Sequence, residues 1–264
     1  MSDIASAFTA ADGSRKKAFI PFITVGDPTL ELSEELVIAM AGAGADLIEL
    51  GIPFSDPTAE GSVIQAANIR ALANGVTTDD VFALVRRVRE RGCSVPLIFM
   101  TYANVVYSYG IERFADAEAG AGMDGIVLPD VPFEEKAEFS VPFAARGLDV
   151  VSLIAPTSHE RIRKIASDAA GFVYCVSSLG VTGVRNQITT DIGAMVGLVR
   201  ASTDVPVAVG FGISTPEQAA AMAAKSDGAI VGSAIVRILA EHGEGSLPHV
   251  VGYVRAMAEA AHSA

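Results

Sequence analysis

Short, nearly continuous apolar segments alternate along the chain with longer stretches whose apolar residues recur every three or four positions. Continuous apolar segments are typical of parallel strands that are covered on both faces. We predict strands at residues 18–24, 47–51, 96–101, 125–128, 150–154, 172–176, 206–209 and 229–231. The longer stretches predict amphipathic helices between them.

Two of the predicted helices have a recognisable start. Thr77 or Thr78 begins a helix whose apolar face includes Val81, Leu84 and Val88. Thr215 and Gln218 have the spacing of a capping box, with proline at the first helical position between them. The interval between the second and third strands is the longest, so we expect an additional loop and helix there, at about residues 61–73.

Internal similarity supports a repeated unit of helix, turn and strand. Residues 41–50 match residues 119–128, and residues 225–231 are a weaker copy. In each copy a helix end is followed by a glycine or serine turn, an aspartate and a strand. Such repetition over a chain of 264 residues favours a single (β/α)8 TIM barrel, residues 1–264, over a doubly wound open sheet.

Composition and charge exclude several classes of protein. The net charge of −12 lacks the basic surplus that nucleic-acid binding requires, and an anionic membrane would repel it. No apolar run is long enough to span a membrane, and no signal peptide is evident. Two distant cysteines indicate reduced thiols, so we expect a cytoplasmic protein. The four histidines show no ligand spacing, and no metal site is expected.

Glu49 is the first candidate for chemistry, because it interrupts an apolar strand near its carboxyl end. Alternation places it on the same face as Leu47 and Gly51, and an ionised carboxylate there is costly unless it is paired or functional. A core glutamate paired with a buried arginine is the alternative. The loop that follows adds Asp56 and Glu60, as a mobile lid or as an ordinary acidic surface loop.

Glycine turns follow the last two predicted strands, at residues 210–212 and at Gly232. Backbone N–H groups of such turns, together with a helix N-terminus, bind phosphate in many barrels of this class. Plain tight turns are the alternative. Residues 180–183 after the sixth strand are a candidate third group of donors. The five lysines lie outside the predicted strands, which argues against a Schiff-base aldolase.

Taken in order, these segments resemble the tryptophan synthase alpha chain family over nearly the whole chain. The resemblance lies in residues 46–57, around Glu49, and in residues 21–28, 102–104, 130–132, 180–183, 210–214 and 232–236. Each motif alone is generic, whereas the ordered set is specific.

The resemblance implies a (β/α)8 barrel with an extra N-terminal helix and extra helices in the βα loops. It implies cleavage of indole-3-glycerol phosphate to indole and glyceraldehyde 3-phosphate, without a cofactor in this chain. It also implies a beta-chain partner that carries pyridoxal phosphate, in an α2β2 assembly.

The resemblance further implies roles for individual residues. Glu49 and Glu60 are the catalytic carboxyl groups. The expected pocket residues are Phe22, Tyr102, Tyr174 and Thr182. The expected phosphate-binding residues are Gly183, Gly210, Phe211, Gly212, Gly232 and Ser233. The expected partner-contact residues are Pro53, Phe54, Asp56 and Pro57.

The chain departs from the family pattern at three places. Glu60 stands where aspartate is common, and its side chain is longer by about 1.5 Å. Ser62 replaces a common proline, and Ser178 and Leu179 replace a common Arg-Ala pair. Three alternative functions remain at this point: a non-catalytic regulatory subunit, an FMN-binding oxidoreductase and a stand-alone lyase that releases indole.

Overall fold

Eight parallel strands close a barrel in the described part of the chain, which comprises residues 3–176, 191–210 and 212–264 of a computed structural model. The strands are β1 (Ala18–Thr24), β2 (Ile48–Gly51), β3 (Leu97–Met100), β4 (Gly125–Val127), β5 (Asp149–Ile154), β6 (Val173–Val176), β7 (Val207–Gly210) and β8 (Gly228–Val231). They follow each other around the barrel in chain order, and β1 pairs with β8 to close it. The predicted barrel is confirmed, and the open sheet is wrong.

Helices surround the barrel and also occupy the loops at its carboxyl end. They are α1 (Leu30–Gly42), α2 (Ser62–Ala73), α3 (Thr78–Glu90), α4 (Ala103–Tyr109), α5 (Ile111–Ala121), α6 (Ala137–Ala144), α7 (His159–Ala166), α8 (Ile192–Arg200), α9 (Pro216–Lys225), α10 (Ser233–His242) and α11 (Leu247–His262). The expected extra elements are α2 and α4 in the loops, and a short 3-10 helix, Ile4–Phe8, at the N-terminus. None of the described helices combines the length and apolar character needed to cross a membrane.

Both predicted caps are present. Thr77 and Asp80 form a capping box at the start of α3, and Thr215 and Gln218 form another at the start of α9. These reciprocal hydrogen bonds satisfy backbone N–H groups that the first helical turn leaves without partners. They fix where the helices begin relative to the preceding strands.

The apolar side chains form two layers because successive residues of a strand face opposite sides. Leu47, Ile98 and Val127 point into the barrel and belong to one buried cluster. Ile48, Leu50 and the other outward-facing residues of the strands pack against the helices in a second, larger cluster. The near-continuous apolar runs in the sequence are therefore explained by strands whose inner and outer faces are both buried.

Several predicted strand ends differ from the structure by one or two residues. Asp149 begins β5 and Gly228 begins β8, although neither belongs to an apolar run. Asp149 pairs with Gly125 and Gly228 pairs with Ala18, so the ladder extends past the apolar residues. Conversely, Leu47 and Pro96 lie just before β2 and β3, because strand limits depend on the register of the neighbouring strand.

The aspartates of the internal repeats stabilise the amino-terminal end of the barrel. The carboxylates of Asp46, Asp124 and Asp227 accept the backbone N–H of Phe19, Leu97 and Val207, respectively, at 2.8, 3.0 and 2.9 Å. Each carboxylate also has a basic partner. Asp46 contacts Lys16 and His262, Asp124 contacts Arg89, and the nearest basic partner of Asp227 is Arg200. The sequence repeat therefore corresponds to a repeated link between one strand start and the preceding strand.

Glu118 is a buried carboxyl group away from the barrel interior. It lies on the buried face of α5 with Phe114 and Ala121, is 0% exposed, and neither carboxyl oxygen has a hydrogen-bond partner among the described residues. Burial first, and then the charge of Asp124, raises the pKa of this carboxyl group well above 4.5. Burial therefore favours the neutral form of Glu118.

Replacing Glu118 by Gln should make the stability of the protein less dependent on pH. Because the folded-state pKa is raised, the neutral carboxyl favours folding below the unfolded value of 4.5, and this contribution is lost as pH rises toward the folded value. The free energy of unfolding of Glu118→Gln, measured in urea, should therefore rise relative to that of the wild type as the pH increases above 4.5. The slope limit is about 1.4 kcal/mol per pH unit.

Glu90→Gln is the matched control, because Glu90 is exposed at the end of α3. Its stability difference from the wild type should stay constant over the same pH range. A constant difference for Glu118→Gln as well would show that Glu118 is solvated or paired in the folded protein.

Candidate active site

The candidate site lies at the carboxyl end of the barrel, where β1 and β2 run side by side. Phe22 of β1 and Glu49 of β2 are register partners, and both side chains are buried. Gly51 leaves space for the Phe22 ring, since a Cβ atom on Gly51 would lie 2.7 Å from the ring's Cζ atom. A glycine is therefore needed at position 51 because the Phe22 ring packs directly against its backbone.

Glu49 is enclosed in this apolar setting. Its side chain is 1% exposed, and its Oε1 atom has no hydrogen-bond partner among the described residues. Burial and, secondarily, the charge of Glu60 raise the pKa of Glu49 to about 8. A buried arginine partner, the alternative considered from the sequence, is not present in the described part of the chain.

Glu60 lies in the loop between β2 and α2, but its carboxyl group is buried. It is 5% exposed, and its Oε2 atom accepts a hydrogen bond of 2.8 Å from the Nδ2 atom of Asn68 on α2. Burial raises the pKa of Glu60 to about 7, while the Asn68 hydrogen bond acts in the opposite direction. Glu60 is close enough to Glu49 for its charge to influence that residue.

Tyr102 closes the other side of this loop. Its ring packs against Phe54 with 5.2 Å between centroids, and its hydroxyl accepts a 3.1 Å hydrogen bond from the backbone N–H of Ala59. Burial, followed by the charge of Glu60, raises the pKa of Tyr102. Tyr102 therefore lies near the second carboxyl group, as expected of a pocket residue.

Tyr174 lies on β6, facing the barrel interior. It is buried, and its pKa is raised by burial and secondarily by the charge of Glu49, so the two side chains share the interior. The neighbouring strand residue Gly210 leaves room for it, because a Cβ atom there would lie 2.6 Å from the Tyr174 hydroxyl. Phe22, Glu49, Tyr174 and Gly210 are thus grouped around one opening.

The glycine turns end β7 and β8 beside this opening. Gly212 has a φ of 79°, a left-handed conformation that favours glycine. Gly232 is the N-cap of α10 and Ser233 is its first residue, so the free N–H groups of the first helical turn point out of the carboxyl end of the barrel. Three predicted site residues, Thr182, Gly183 and Phe211, lie outside the described residues.

An apolar cavity of about 300 Å³ opens among the carboxyl-end loops on the β3 to β6 side of the barrel. Phe22, Glu49, Glu60 and Tyr174 are not among the described residues that line it. Barrel side chains such as Met100, Leu153 and Val176 line it, together with the loop residues Ala59, Leu128 and Pro129. A mostly apolar cleft of this volume can enclose a small aromatic group.

Among the four predicted partner-contact residues, the described structure distinguishes buried from exposed side chains. Pro53 and Pro57 are buried, Phe54 is half-buried, and Asp56 is exposed. The surface that this loop offers is therefore more polar than its sequence indicates. Asp130, in the loop after β4, accepts a hydrogen bond of 3.0 Å from the backbone N–H of Ala103 and so holds the start of α4.

Sequence reasoning missed two buried polar residues near the cavity. Asn68 contacts Glu60, and its position on the apolar face of α2 was the only signal available. Lys136 is buried, but its Nζ atom bonds to Ser152 and Asp168, on the helix-facing side of β5. It therefore does not enter the barrel interior, in agreement with the argument against a Schiff base. In the described ranges, His, Cys, Asp and Glu form no group of three or more suited to a metal ion.

Comparison with known sequences gives one consistent family. A family model described as tryptophan synthase alpha chain matches residues 8–262. The tryptophan synthase alpha chain of Geobacter sulfurreducens is 48% identical over 262 residues, with 98% of this chain and 99% of the relative covered. That of Halalkalibacterium halodurans is also 48% identical, over 89% of each chain.

Solved structures give the same result. The crystal structure of the tryptophan synthase alpha subunit from Legionella pneumophila superimposes with a TM-score of 0.91 at 38% identity and covers 100% of both chains. A chain of Mycobacterium tuberculosis tryptophan synthase superimposes with a TM-score of 0.89 at 34% identity, over 99% of this chain and 98% of that one.

The eight-stranded barrel and the family that these comparisons identify place the chain among the lyases. The chain belongs to the tryptophan synthase alpha chain family. Alpha chains of this family cleave indole-3-glycerol phosphate in tryptophan biosynthesis and form complexes with a beta chain. They carry no cofactor, since pyridoxal phosphate resides in the beta chain, and this sets the FMN alternative aside.

Adding a methyl group at Gly210 should deform the site without unfolding the protein. In Gly210→Ala the Tyr174 ring must move, because the new Cβ atom would lie 2.6 Å from it. Overpacking of this kind costs about 1–3 kcal/mol in free energy of unfolding. Steady-state kinetics should show a fall of about tenfold or more in kcat/KM for indole-3-glycerol phosphate.

Gly197→Ala on α8 is the matched control, since no atom lies within 4 Å of its added Cβ. It should stabilise the protein by about 0.5–1 kcal/mol and leave the kinetics unchanged. Wild-type kinetics in Gly210→Ala would show that Tyr174 does not need its present position.

Proposed function

We propose that this chain cleaves indole-3-glycerol phosphate by a retro-aldol reaction in which Glu49 transfers the protons and Glu60 balances the charge on the indole ring. The observation that carries this proposal is the enclosed carboxyl of Glu49, whose Oε1 atom has no hydrogen-bond partner among the described residues. Burial keeps this group protonated near neutral pH, so it can act as an acid.

The protons and electrons balance with one carboxyl group. Protonated Glu49 gives its proton to C3 of the indole ring, and the resulting carboxylate takes the proton of the adjacent glycerol hydroxyl. The O–H electron pair forms the new carbonyl bond as the C3–carbon bond breaks, and the pair from that bond restores the indole ring. Glu49 ends in its starting state, and indole and glyceraldehyde 3-phosphate are released.

Glu60 takes the complementary role because its pKa is the lower of the two. Between about pH 7 and about pH 8, the favoured state has Glu60 ionised and Glu49 protonated. An ionised Glu60 can accept a hydrogen bond from the indole N–H and stabilise the positive charge that protonation at C3 creates. The longer glutamate side chain serves here where the family commonly has aspartate.

The remaining predicted residues bind the two ends of the substrate. Backbone N–H groups at Gly212, Gly232 and Ser233 are proposed to hold the phosphate, and the position of the last two at the start of α10, with its helix dipole, supports this. Gly210 supports this edge through Tyr174, and Gly183 and Phe211 are proposed members of the same binding site. Phe22, Tyr102, Tyr174 and Thr182 are proposed to enclose the indole and glycerol parts.

We also propose the setting in which the enzyme works. The loop with Pro53, Phe54, Asp56 and Pro57 contacts the beta chain in an α2β2 assembly, to which indole passes. A single domain over residues 1–264 is part of this proposal, and the packing of the terminal helix α11 against α1, α9 and β1 supports it. The biosynthetic family and the two free cysteines, Cys93 and Cys175, fit the cytoplasm.

Glu49→Gln should abolish most of the cleavage activity. The purified chain is incubated with indole-3-glycerol phosphate, with and without a cognate beta chain, and glyceraldehyde 3-phosphate is measured. Removing acid–base help should lower turnover about 10²–10⁴-fold in both conditions. Glu118→Gln is the matched control, because it makes the same chemical change at a buried carboxyl of α5, outside the barrel interior, and it should retain wild-type turnover.

Comparing the assay with and without the beta chain distinguishes the alternative functions that remain. Wild-type cleavage that rises when the beta chain is added supports the alpha-subunit function, whereas fast cleavage unaffected by it indicates a stand-alone lyase. A wild-type chain that is inactive in both arms, yet activates the beta chain, would indicate a regulatory subunit. Normal turnover of Glu49→Gln would refute the proposed chemistry.

A further inference from the structure

The side-chain amide of Asn68 joins two parts of the loop that carries Glu60. Its Nδ2 group donates to the Glu60 Oε2 atom at 2.8 Å and to the Ile64 carbonyl at 3.0 Å, and its Oδ1 atom accepts the backbone N–H of Phe54 at 3.0 Å. The side chain is 4% exposed. These three contacts use both amide hydrogens and the amide oxygen within a buried space.

The contacts fix the orientation of the amide. Its oxygen must face the Phe54 N–H, which only donates, so its nitrogen must face Glu60. The NH₂ group therefore always presents a donor to the carboxyl, and a donor stabilises the ionised form. The hydrogen bond from Asn68 accordingly opposes the effect of burial on the pKa of Glu60.

Asn68 is itself held on a fixed helix. Two residues further along α2, Arg70 forms two hydrogen bonds with Asp27 after β1, at 2.7 and 2.8 Å, and Asp27 is 1% exposed. A bidentate pair of this kind fixes both position and angle. The loop is held from the opposite side by Tyr102, through Ala59 and Phe54.

We propose that Asn68 is a positioning residue for the lyase reaction: it holds Glu60 ionised and directed toward the indole N–H, and it fixes the loop at Phe54. The proposal rests on the proposed function of Glu60. The titratable groups that face Glu60 in the described structure are Glu49 and Tyr102, with Asp130 acting on Tyr102. Neither Glu49 nor Tyr102 donates a hydrogen bond to it there, which leaves Asn68 as its donor.

Asn68→Asp is the test variant, because it keeps the acceptor for Phe54 and replaces the donor toward Glu60 by a carboxyl oxygen. The low-pH limb of kcat/KM should move to higher pH, and kcat/KM at pH 7 should fall about tenfold to hundredfold. The carboxyl ¹³C resonance of Glu60, assigned with Glu60→Gln, should titrate at higher pH than in the wild type. Asn74→Asp is the matched control: Asn74 ends the same helix and bonds to the Pro28 carbonyl, so both readouts should match the wild type.

An NMR titration of the wild-type chain tests the same proposal and does not require that the variant folds. The side-chain ¹⁵N–¹H resonances of Asn68 should shift with the same midpoint as the Glu60 carboxyl, near pH 7. The proposal would be overturned if the Asn68 side-chain resonances did not shift as Glu60 ionises. A loss of activity in Asn68→Asp without a change in the Glu60 midpoint would also overturn it, because that result indicates a merely structural role. If the wild type does not cleave indole-3-glycerol phosphate, the proposed function fails, while the two titrations still decide whether Asn68 controls Glu60.

Discussion

The site depends on the cost of placing one carboxyl group inside an apolar barrel. Glu49 is buried with an oxygen that has no partner in the described structure, and a charge in such a place is strongly disfavoured. The group avoids the cost by keeping its proton at neutral pH. The same desolvation that weakens the fold at this position therefore keeps a proton on Glu49 at neutral pH, where it is available for the proposed transfer to the indole ring.

The rest of the barrel limits and uses this cost. Two apolar layers, inside the barrel and between strands and helices, enclose β2 and leave Glu49 1% exposed. Close approaches at Gly51 and Gly210 place aromatic rings around the carboxyl. At the opposite end, repeated links from Asp46, Asp124 and Asp227 tie strands together far from the chemistry. Stability and reactivity are thus located at opposite ends of the same strands.

The sequence alone predicts the parts of this arrangement that follow local rules. Apolar runs give the eight strands, the Thr77 and Thr215 caps give helix starts, and alternation gives the inward face of Glu49. The burial of Glu60 could not be deduced, because its loop composition is that of an acidic surface. Asn68 was missed for a related reason: a single polar residue on an apolar helix face acquires a role only when a distant carboxyl folds over it. The unpartnered Glu118 depends in the same way on which helices surround α5.

The ionisation of Glu49 is the most direct test of the account. The carboxyl ¹³C resonance of Glu49, assigned by comparison with Glu49→Gln, can be followed through a pH titration of the wild-type chain without substrate. The account predicts a midpoint near pH 8, which leaves the group protonated at neutral pH. A midpoint near 4.5, the ordinary value of a solvated glutamate, would show that the barrel does not hold Glu49 in its acid form and would contradict the proposed chemistry.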